Sequence, residues 1–236
     1  APEQVKEKLL ALLPERLSNQ IENIHQRVEI AVPPAADYSG KEKVFKELNQ
    51  AIRTNTLLQI KYYSFSRDKL TKRRVAPYQL VFKDGFWYLV AFCSQRQEVR
   101  LFRVDRIREI SVTKEKFSPP ANFNFEKYMG AAWQMERGEE FSFKVRFFGE
   151  AVRFIRETKF HPSQVIQEEQ GGSIIFLARA SGLNSVIRWI LSFGDEAEVL
   201  EPPELRKMVA KEMLVGARRY YSSNKQIFRE EEGAIR

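Results

Sequence analysis

A predicted β-hairpin limits the possible folds of this chain more than any other feature of its sequence. Residues 75–82 and 86–93 are rich in β-branched and aromatic side chains, which favour strands. An Asp-Gly pair at 84–85 joins them, and this dipeptide favours a two-residue hairpin turn. Because successive side chains of a strand point to opposite faces, either Trp87 or Tyr88 faces the core, but not both.

Three further strands complete a predicted small β-unit around this hairpin. They are predicted at 57–63, 100–102 and 107–113, with a one-turn bend at 104–106. Five short strands separated by turns at near-regular spacing are typical of a small barrel. The sequence therefore predicts a five-stranded β-barrel in the first half of the chain.

Helices are predicted before this β-unit. The first ends near residue 31, because the Pro-Pro pair at 33–34 stops it. The second carries Val44 and Leu48 on one face, and Ser39 is predicted to be its N-cap.

The second half of the chain alternates strands and helices in the order β-α-β-β-α-β, followed by one more helix. The strands are predicted at 141–147, 164–167, 173–179 and 197–200, and the helices at 151–158, 183–191 and 204–221. This order is that of a ferredoxin-like domain with an added helix. Residues 118–140 are predicted to be a connector. The fold class is therefore α+β.

Positive charge is concentrated in one segment of the chain. The whole sequence has a net charge of +8, whereas residues 41–110 hold 16 Lys and Arg against 7 Asp and Glu, a net +9. A concentrated positive field attracts nucleic acids and nucleotides. The alternative is a solvated basic face that binds no ligand.

Three arginines in residues 100–106 are the predicted phosphate ligands. In a regular strand Arg100 and Arg106 share a face, whereas a turn after Arg103 brings Arg103 and Arg106 together. Asp105 is predicted to orient one guanidinium through a bidentate ion pair. The alternative is that Asp105 and one arginine form a purely structural pair.

Aromatic side chains of the same β-unit offer stacking surfaces for bases. Predicted ligand-binding residues are Tyr62, Tyr78 and Tyr88, with Arg74 from a basic loop edge at 69–74. Trp87 and Phe102 are predicted to be structural.

Catalysis has little support in the sequence. The two histidines, His25 and His161, lie in different modules, and no Cys and His spacing is typical of a metal site. The single cysteine, Cys93, lies in an apolar strand, which predicts burial. We therefore expect no catalytic residues, no metal and no cofactor. No run of 18 apolar residues is present, so no membrane partner is expected, and a cytoplasmic location fits the lack of disulfides.

The motifs described above resemble the WYL family of transcriptional regulators. The namesake triplet is Trp87, Tyr88 and Leu89, and residues 100–107, Arg-Leu-Phe-Arg-Val-Asp-Arg-Ile, are similar to the arginine-rich segment of the family. Residues 60–64 and 75–80 resemble its first two strands, and residues 141–221 resemble the extension domain that often follows.

The resemblance implies a domain order and a function. Linker helices are expected at 1–40, an Sm-like WYL barrel with its first helix at 41–117, the connector at 118–140, and the ferredoxin-like extension at 141–236. It implies a sensory module that binds single-stranded nucleic acid or a nucleotide. Operator DNA would be bound by a winged helix-turn-helix outside this chain.

Other functions remain open at this point. An Sm-like barrel also suggests a direct RNA-binding protein, and an enzyme acting on a nucleotide and a structural dimerisation module are further alternatives. A homodimer is expected, because Leu17, Ile21 and Ile24 give the front helices apolar surface that needs a partner. Packing of these side chains on the barrel of the same chain is the alternative.

Overall fold

The computed structural model describes residues 35–221, and it divides the chain between Ser118 and Pro119 into two compact units. The predicted helix before residue 31, and the dimer contact predicted from it, lie outside the described residues. Among the helices of the described part, none is long and apolar enough to cross a membrane.

The first unit is one helix followed by an antiparallel five-stranded sheet. The elements are α1 (Glu42–Arg53), β1 (Thr56–Ser64), β2 (Lys69–Lys83), β3 (Phe86–Cys93), β4 (Glu98–Arg103) and β5 (Ile107–Lys116). Single 3-10 turns, Phe65–Arg67 and Val104–Arg106, precede β2 and β5. The strand order is β4-β3-β2-β1-β5.

The sheet is open, so the predicted closed barrel is not formed. The long strand β2 pairs with β1 through residues 69–75 and with β3 through residues 75–83, with a bulge between Pro77 and Gln79. The edge strands β4 and β5 are joined by the 3-10 turn, and its Val104 is fully buried in the core. Side-chain packing, and not a ladder of backbone hydrogen bonds, therefore fills the space between the two edges.

Two local predictions in this unit are wrong. Residues 69–74, predicted as a loop edge, form the first half of β2, because they pair with the strand-forming residues of β1. Ser39 does not cap α1: its amide and hydroxyl both donate to Asp37, each at 2.8 Å, and Lys41 is the residue before the helix. The hydrogen-bond donors of Ser39 are thus used within the loop, and α1 begins without a side-chain cap.

The core of the first unit lies between α1 and the sheet. Val44, Leu48 and Ala51 form the buried face of α1. They belong to one apolar cluster with buried side chains of all five strands, and the half-buried rings of Trp87 and Tyr62 pack against it. This packing holds the ends of β1, β3 and β4 in fixed positions.

The second unit is built on a four-stranded antiparallel sheet. Its elements are α2 (Phe125–Met129), β6 (Phe141–Phe147), α3 (Ala151–Glu157), β7 (Val165–Glu168), β8 (Ile174–Ala180), α4 (Leu183–Leu191), β9 (Ala197–Glu201) and α5 (Pro203–Tyr221). The strand order is β7-β8-β6-β9. Apolar side chains of α3 and α4 pack with Phe143, Phe147 and Phe176 on one side of this sheet.

The predicted connector is packed into the second unit along part of its length. Trp133 is buried and stacks on His161, with ring centroids 5.5 Å apart. Ala132 pairs with Ser181 in an isolated β-bridge. The sequence signal for a linker, two prolines after Ser118, therefore covers only the beginning of this segment.

Candidate functional site

Arg103 is held in place by a carboxylate and an aromatic ring. Its Nε and one terminal nitrogen donate to the two carboxylate oxygens of Asp105, at 3.0 Å and 2.9 Å. The guanidinium carbon lies 3.6 Å from the ring centroid of Phe86. Both charged side chains are about four-fifths shielded from solvent, with exposures of 22% and 20%. Asp105 thus makes the predicted bidentate pair, and Arg103 is a fixed part of the fold.

Two tyrosines connect this pair to the neighbouring strands. The hydroxyl of Tyr62 accepts a hydrogen bond from the Arg103 amide at 3.2 Å, and its ring meets the buried Phe102 edge to face at 5.1 Å. Burial raises the pKa of Tyr62, although the Arg103 amide and Arg106 oppose it. Tyr88 lies opposite Arg103 in the β3–β4 ladder, and burial raises its pKa too. Both phenols therefore stay protonated near neutral pH and can donate hydrogen bonds.

Arg106 and Arg108 also lie over aromatic rings, but without a carboxylate partner. The guanidinium carbon of Arg106 is 5.2 Å from the ring centroid of Phe65, and that of Arg108 is 5.9 Å from the ring centroid of Tyr63. Within residues 35–221, no Asp or Glu oxygen lies within 4.0 Å of either guanidinium. Their positive charge is therefore available to an anionic ligand.

The turn between β1 and β2 presents an aromatic ring to solvent. Phe65 begins the 3-10 turn and is 70% exposed. The hydroxyl of Tyr63 donates to Asp68 at 2.6 Å, and the Asp68 amide donates to the Phe65 carbonyl at 3.3 Å. Asp68 has the positive φ of 47° that ends this turn, a conformation that Asp tolerates better than most residues. The two hydrogen bonds fix the turn that carries Phe65.

A third cation lies beside the two arginines. The ammonium of Lys41 donates to the carbonyl of Ile107, between Arg106 and Arg108, at 2.7 Å. Burial lowers the pKa of Lys41, and the charge of Arg108 lowers it further. Positive charge thus exceeds negative charge around Ile107. We call Lys41, Arg106 and Arg108 the basic site.

Three of the predicted ligand residues lie elsewhere in the first unit. Arg100 faces the opposite side of β4 from Arg103 and pairs with Glu98 at 3.2 Å. Arg74 pairs with Glu115 near the far end of β5. Tyr78 lies at the β2 bulge, beside Phe117. The structure brings together four predicted ligand residues: Arg103, Arg106, Tyr62 and Tyr88. The other three, Arg100, Arg74 and Tyr78, lie apart from this group.

The two predicted structural aromatics lie in packed positions. Phe102 is 4% exposed in the core. The Trp87 ring packs against Phe45 and Phe82, with centroids 5.8 Å and 5.3 Å apart. Its backbone amide donates to the hydroxyl of Tyr38 at 2.6 Å. Trp87 therefore connects the hairpin to α1 and to the residues before that helix.

Sequence analysis missed three residues of this region: Lys41, Phe65 and Arg108. The spacing of Arg108, two residues after Arg106, was a usable signal, because both flank the first residue of β5. Phe65 was a weaker signal: an aromatic residue among Ser, Arg and Asp in a turn is poorly placed for a core. Lys41 carried no signal in the sequence, since its contact partner is 66 positions away.

Across residues 35–221, no three His, Cys, Asp or Glu side chains cluster in a way that could hold a metal ion.

Two parts of the chain match known domains. Residues 43–112 match the WYL domain, and residues 139–214 match the WCX domain. The chain is 24% identical to the uncharacterized HTH-type transcriptional regulator YobV of Bacillus subtilis over 86% of its own length and 64% of that protein. It is 27% identical to protein PafC of Mycobacterium tuberculosis over 67% of its own length and 49% of that protein. The chain thus spans less than two thirds of each of these relatives, 64% of the first and 49% of the second.

A solved structure shares the fold. A CRISPR Cas-related protein superposes with a TM-score of 0.52 at 16% sequence identity, over 77% of this chain and 52% of that one. At this identity the similarity describes the arrangement of the backbone and not the function.

Proposed function

Because this chain carries a WYL domain followed by a WCX domain, we propose that it is the ligand-sensing part of a bacterial transcriptional regulator. The relatives support this proposal, since one is named as an HTH-type transcriptional regulator. In such a protein operator DNA is bound by a winged helix-turn-helix, which we place outside the present sequence. The role of the described units is then regulation and not operator recognition.

The ligand is a phosphate-bearing molecule, single-stranded nucleic acid or a nucleotide, bound at the basic site. One observation carries this proposal: Arg106 and Arg108 lack a carboxylate partner among the described residues, and Arg106 lies over the exposed ring of Phe65. A paired cation is neutralised inside the protein, whereas these cations attract phosphate. An exposed ring beside them offers a stacking surface for a base.

Each residue of the region takes a distinct role in this proposal. Arg106 and Arg108 contact phosphate, and Phe65 stacks on a base. Tyr62 and Tyr88 line the region from the sheet. Arg103 and Asp105 orient the segment that carries the two arginines, because their ion pair fixes the 3-10 turn before β5.

Binding of a labelled single-stranded oligonucleotide tests this function. We expect the wild-type chain to bind it at low salt, and the double variant R106Q/R108Q to bind at least tenfold more weakly. Arg74→Gln is the matched control, since it removes one charge that is already paired with Glu115. Equal losses in the double variant and in the control would mean a diffuse charge effect and no defined site.

Further properties belong to the same proposal. We place an Sm-like fold on residues 41–117 and a ferredoxin-like fold on residues 141–236, with linker helices at 1–40 and the connector at 118–140. The strand order β7-β8-β6-β9 with helices on one face supports the second assignment. We propose a non-enzymatic, cytoplasmic protein without a cofactor. The alternative, a direct RNA-binding protein, draws no support from the relatives, one of which is named as an HTH-type transcriptional regulator.

We also propose that the chain forms a homodimer, because regulators with two-fold symmetry read paired half-sites. Light scattering on the full chain and on a variant lacking residues 1–38 tests this. A monomer in both cases at micromolar concentration would contradict it.

A further inference from the structure

We propose that Lys41 is a ligand-binding residue of the basic site and couples anion binding to residues 35–41, which we call the lead-in segment. This inference rests on the proposed function, because it concerns the same anion. It goes beyond that function by naming the part of the chain that responds to the ligand.

The lead-in segment is attached to the sheet by three hydrogen bonds from different parts of its length. The Ala36 amide donates to the Gly85 carbonyl at 3.1 Å, in the β2–β3 turn. The hydroxyl of Tyr38 accepts from the Trp87 amide at 2.6 Å. The ammonium of Lys41 donates to the Ile107 carbonyl at 2.7 Å. Two of these hydrogen bonds therefore join the segment to the β2–β3 hairpin, and the third joins it to the backbone between Arg106 and Arg108.

The position of Lys41 suits a ligand contact better than a purely structural bond. An ammonium group has three donors, and one of them is used by Ile107. Inside the described ranges no carboxylate oxygen comes within 4.0 Å of this ammonium. Burial lowers the pKa of Lys41 and repulsion by the charge of Arg108 lowers it further, whereas the charge of Asp105 raises it. An anion beside Arg106 and Arg108 removes this repulsion and offers acceptors to the two remaining donors.

Tyr38 also joins the lead-in segment to aromatic side chains of α1 and the hairpin. Its ring packs edge to face on Phe45, with centroids 5.6 Å apart, and Phe45 packs on Trp87. Burial raises the pKa of Tyr38, and the charges of Asp105 and Arg103 act on it in opposite directions. Ring packing and the hydrogen bond from Trp87 therefore hold the Tyr38 side chain against the first unit.

Anion binding and attachment of the lead-in segment must then favour each other. An anion that contacts Lys41 stabilises the attached segment, and by thermodynamic linkage the attached segment raises the affinity for the anion. Residues 35–41 therefore respond to the state of the basic site.

Hydrogen exchange on the full chain tests the coupling, with single-stranded oligothymidylate as the probe. We expect the probe to slow exchange of the Ala36 and Lys41 amides severalfold in the wild type. Lys41→Met keeps an unbranched side chain that is one atom shorter, and it removes the charge. We expect this variant to bind the probe three- to tenfold more weakly and to lose the added protection. Lys43→Met is the matched control, because Lys43 is 80% exposed and faces Glu47.

A second variant keeps the test decisive if Lys41→Met does not fold. Tyr38→Phe removes the bond to Trp87 and leaves Lys41 in place, so linkage predicts that it binds the probe more weakly than the wild type but more tightly than Lys41→Met, and that it gains less protection at Ala36. If the wild-type chain binds the probe but the probe does not slow exchange of the Ala36 and Lys41 amides, the coupling is overturned and the proposed function remains intact. Equal affinities of the Lys41→Met and Lys43→Met variants would overturn the ligand role of Lys41. A wild-type chain that does not bind the probe would overturn both proposals.

Discussion

The guanidinium of Arg103 donates two hydrogen bonds to the carboxylate of Asp105, at 3.0 Å and 2.9 Å, and at the same time covers the ring of Phe86 at 3.6 Å. This geometry uses the planar fork of arginine fully. Among the arginines at positions 103, 106 and 108, Arg103 is therefore part of the fold. Arg106 and Arg108 have no carboxylate partner in the described part of the chain. The proposed function follows from that division.

Arg103→Lys should destabilise the first unit. A lysine ammonium cannot make the two parallel hydrogen bonds or stack on Phe86, and it leaves Asp105 poorly paired in a largely buried position. We expect the free energy of unfolding to fall by roughly 1–3 kcal/mol. Urea unfolding followed by circular dichroism measures this. Arg100→Lys is the control and should change stability by less than about 0.5 kcal/mol, since Arg100 makes an exposed pair with Glu98. Equal effects would show that the Asp105 pair is not structural.

Arg108→Gln should weaken oligonucleotide binding without loss of stability. No carboxylate of the described chain lies within 4.0 Å of the Arg108 guanidinium, so its removal leaves no buried charge unpaired. Arg100→Gln removes the same charge from β4, where Arg100 pairs with Glu98, and should bind nearly as well as the wild type. Fluorescence anisotropy gives both affinities, and thermal melts confirm that the variants fold. Tighter binding by Arg108→Gln than by Arg100→Gln would place the ligand elsewhere.

Phe65→Ala should distinguish bases from phosphate. If a base stacks on this ring, the variant loses roughly 1–3 kcal/mol of affinity for a single-stranded oligonucleotide. Its affinity for inorganic pyrophosphate should not change, because the arginines remain. Phe148→Ala, at a 39% exposed phenylalanine of the second unit, is the matched control. Competition titrations measure both ligands. A parallel loss for pyrophosphate would mean that Phe65 only positions Arg106.

Glu136 should make the stability of the second unit dependent on acid pH. Its carboxylate accepts from the Ser185 amide and hydroxyl, each at 2.7 Å, and from the Asn184 side chain at 2.8 Å, at the start of α4. Burial alone would raise the pKa of Glu136, but the hydrogen bonds from Ser185 and Asn184 outweigh burial and lower it below the ordinary 4.5. The stabilisation is therefore complete above pH 4.5 and is lost as the pH falls through the lower folded pKa.

Glu136→Gln tests this sign. We expect the variant to be less stable than the wild type by about 1 kcal/mol at pH 7, the usual size of a lost helix cap, and by much less at pH 3. Unfolding can be followed by tryptophan fluorescence, because Trp133 and Trp189 lie in the core of this unit. The exposed Glu139→Gln serves as control. A difference between wild type and Glu136→Gln that is the same at both pH values would rule out a role for the charge.

The order of elements was accessible from the sequence, because hydrophobic period and turn residues are local signals. The Asp-Gly turn at 84–85 and the strand 86–93 are found at the predicted positions. The strand character of residues 69–74 was hidden by their charge. Lys72 pairs with Lys61 across the ladder, and only the pairing with β1 makes this segment a strand.

The site was predictable in part for the same reason. Arg103, Arg106 and Asp105 are close in the chain, so their proximity follows from one turn. The contribution of Phe65 depends on the pairing of β1 with β5, which brings Tyr62 opposite Ile107. The separation of Arg100 depends on the turn that begins after Arg103. A regular strand through Arg106, which would place Arg100 and Arg106 on one face, was equally consistent with the sequence.

The salt dependence of oligonucleotide affinity tests the central claim most directly. Phosphate contacts release counterions, so the logarithm of the association constant should fall linearly with the logarithm of salt concentration. For single strands each contact contributes a slope of about 0.7, so R106Q/R108Q should reduce the slope by about 1.4 relative to the wild type. Binding that does not depend on salt, or a slope that the double variant leaves unchanged, would contradict an anion site at Arg106 and Arg108.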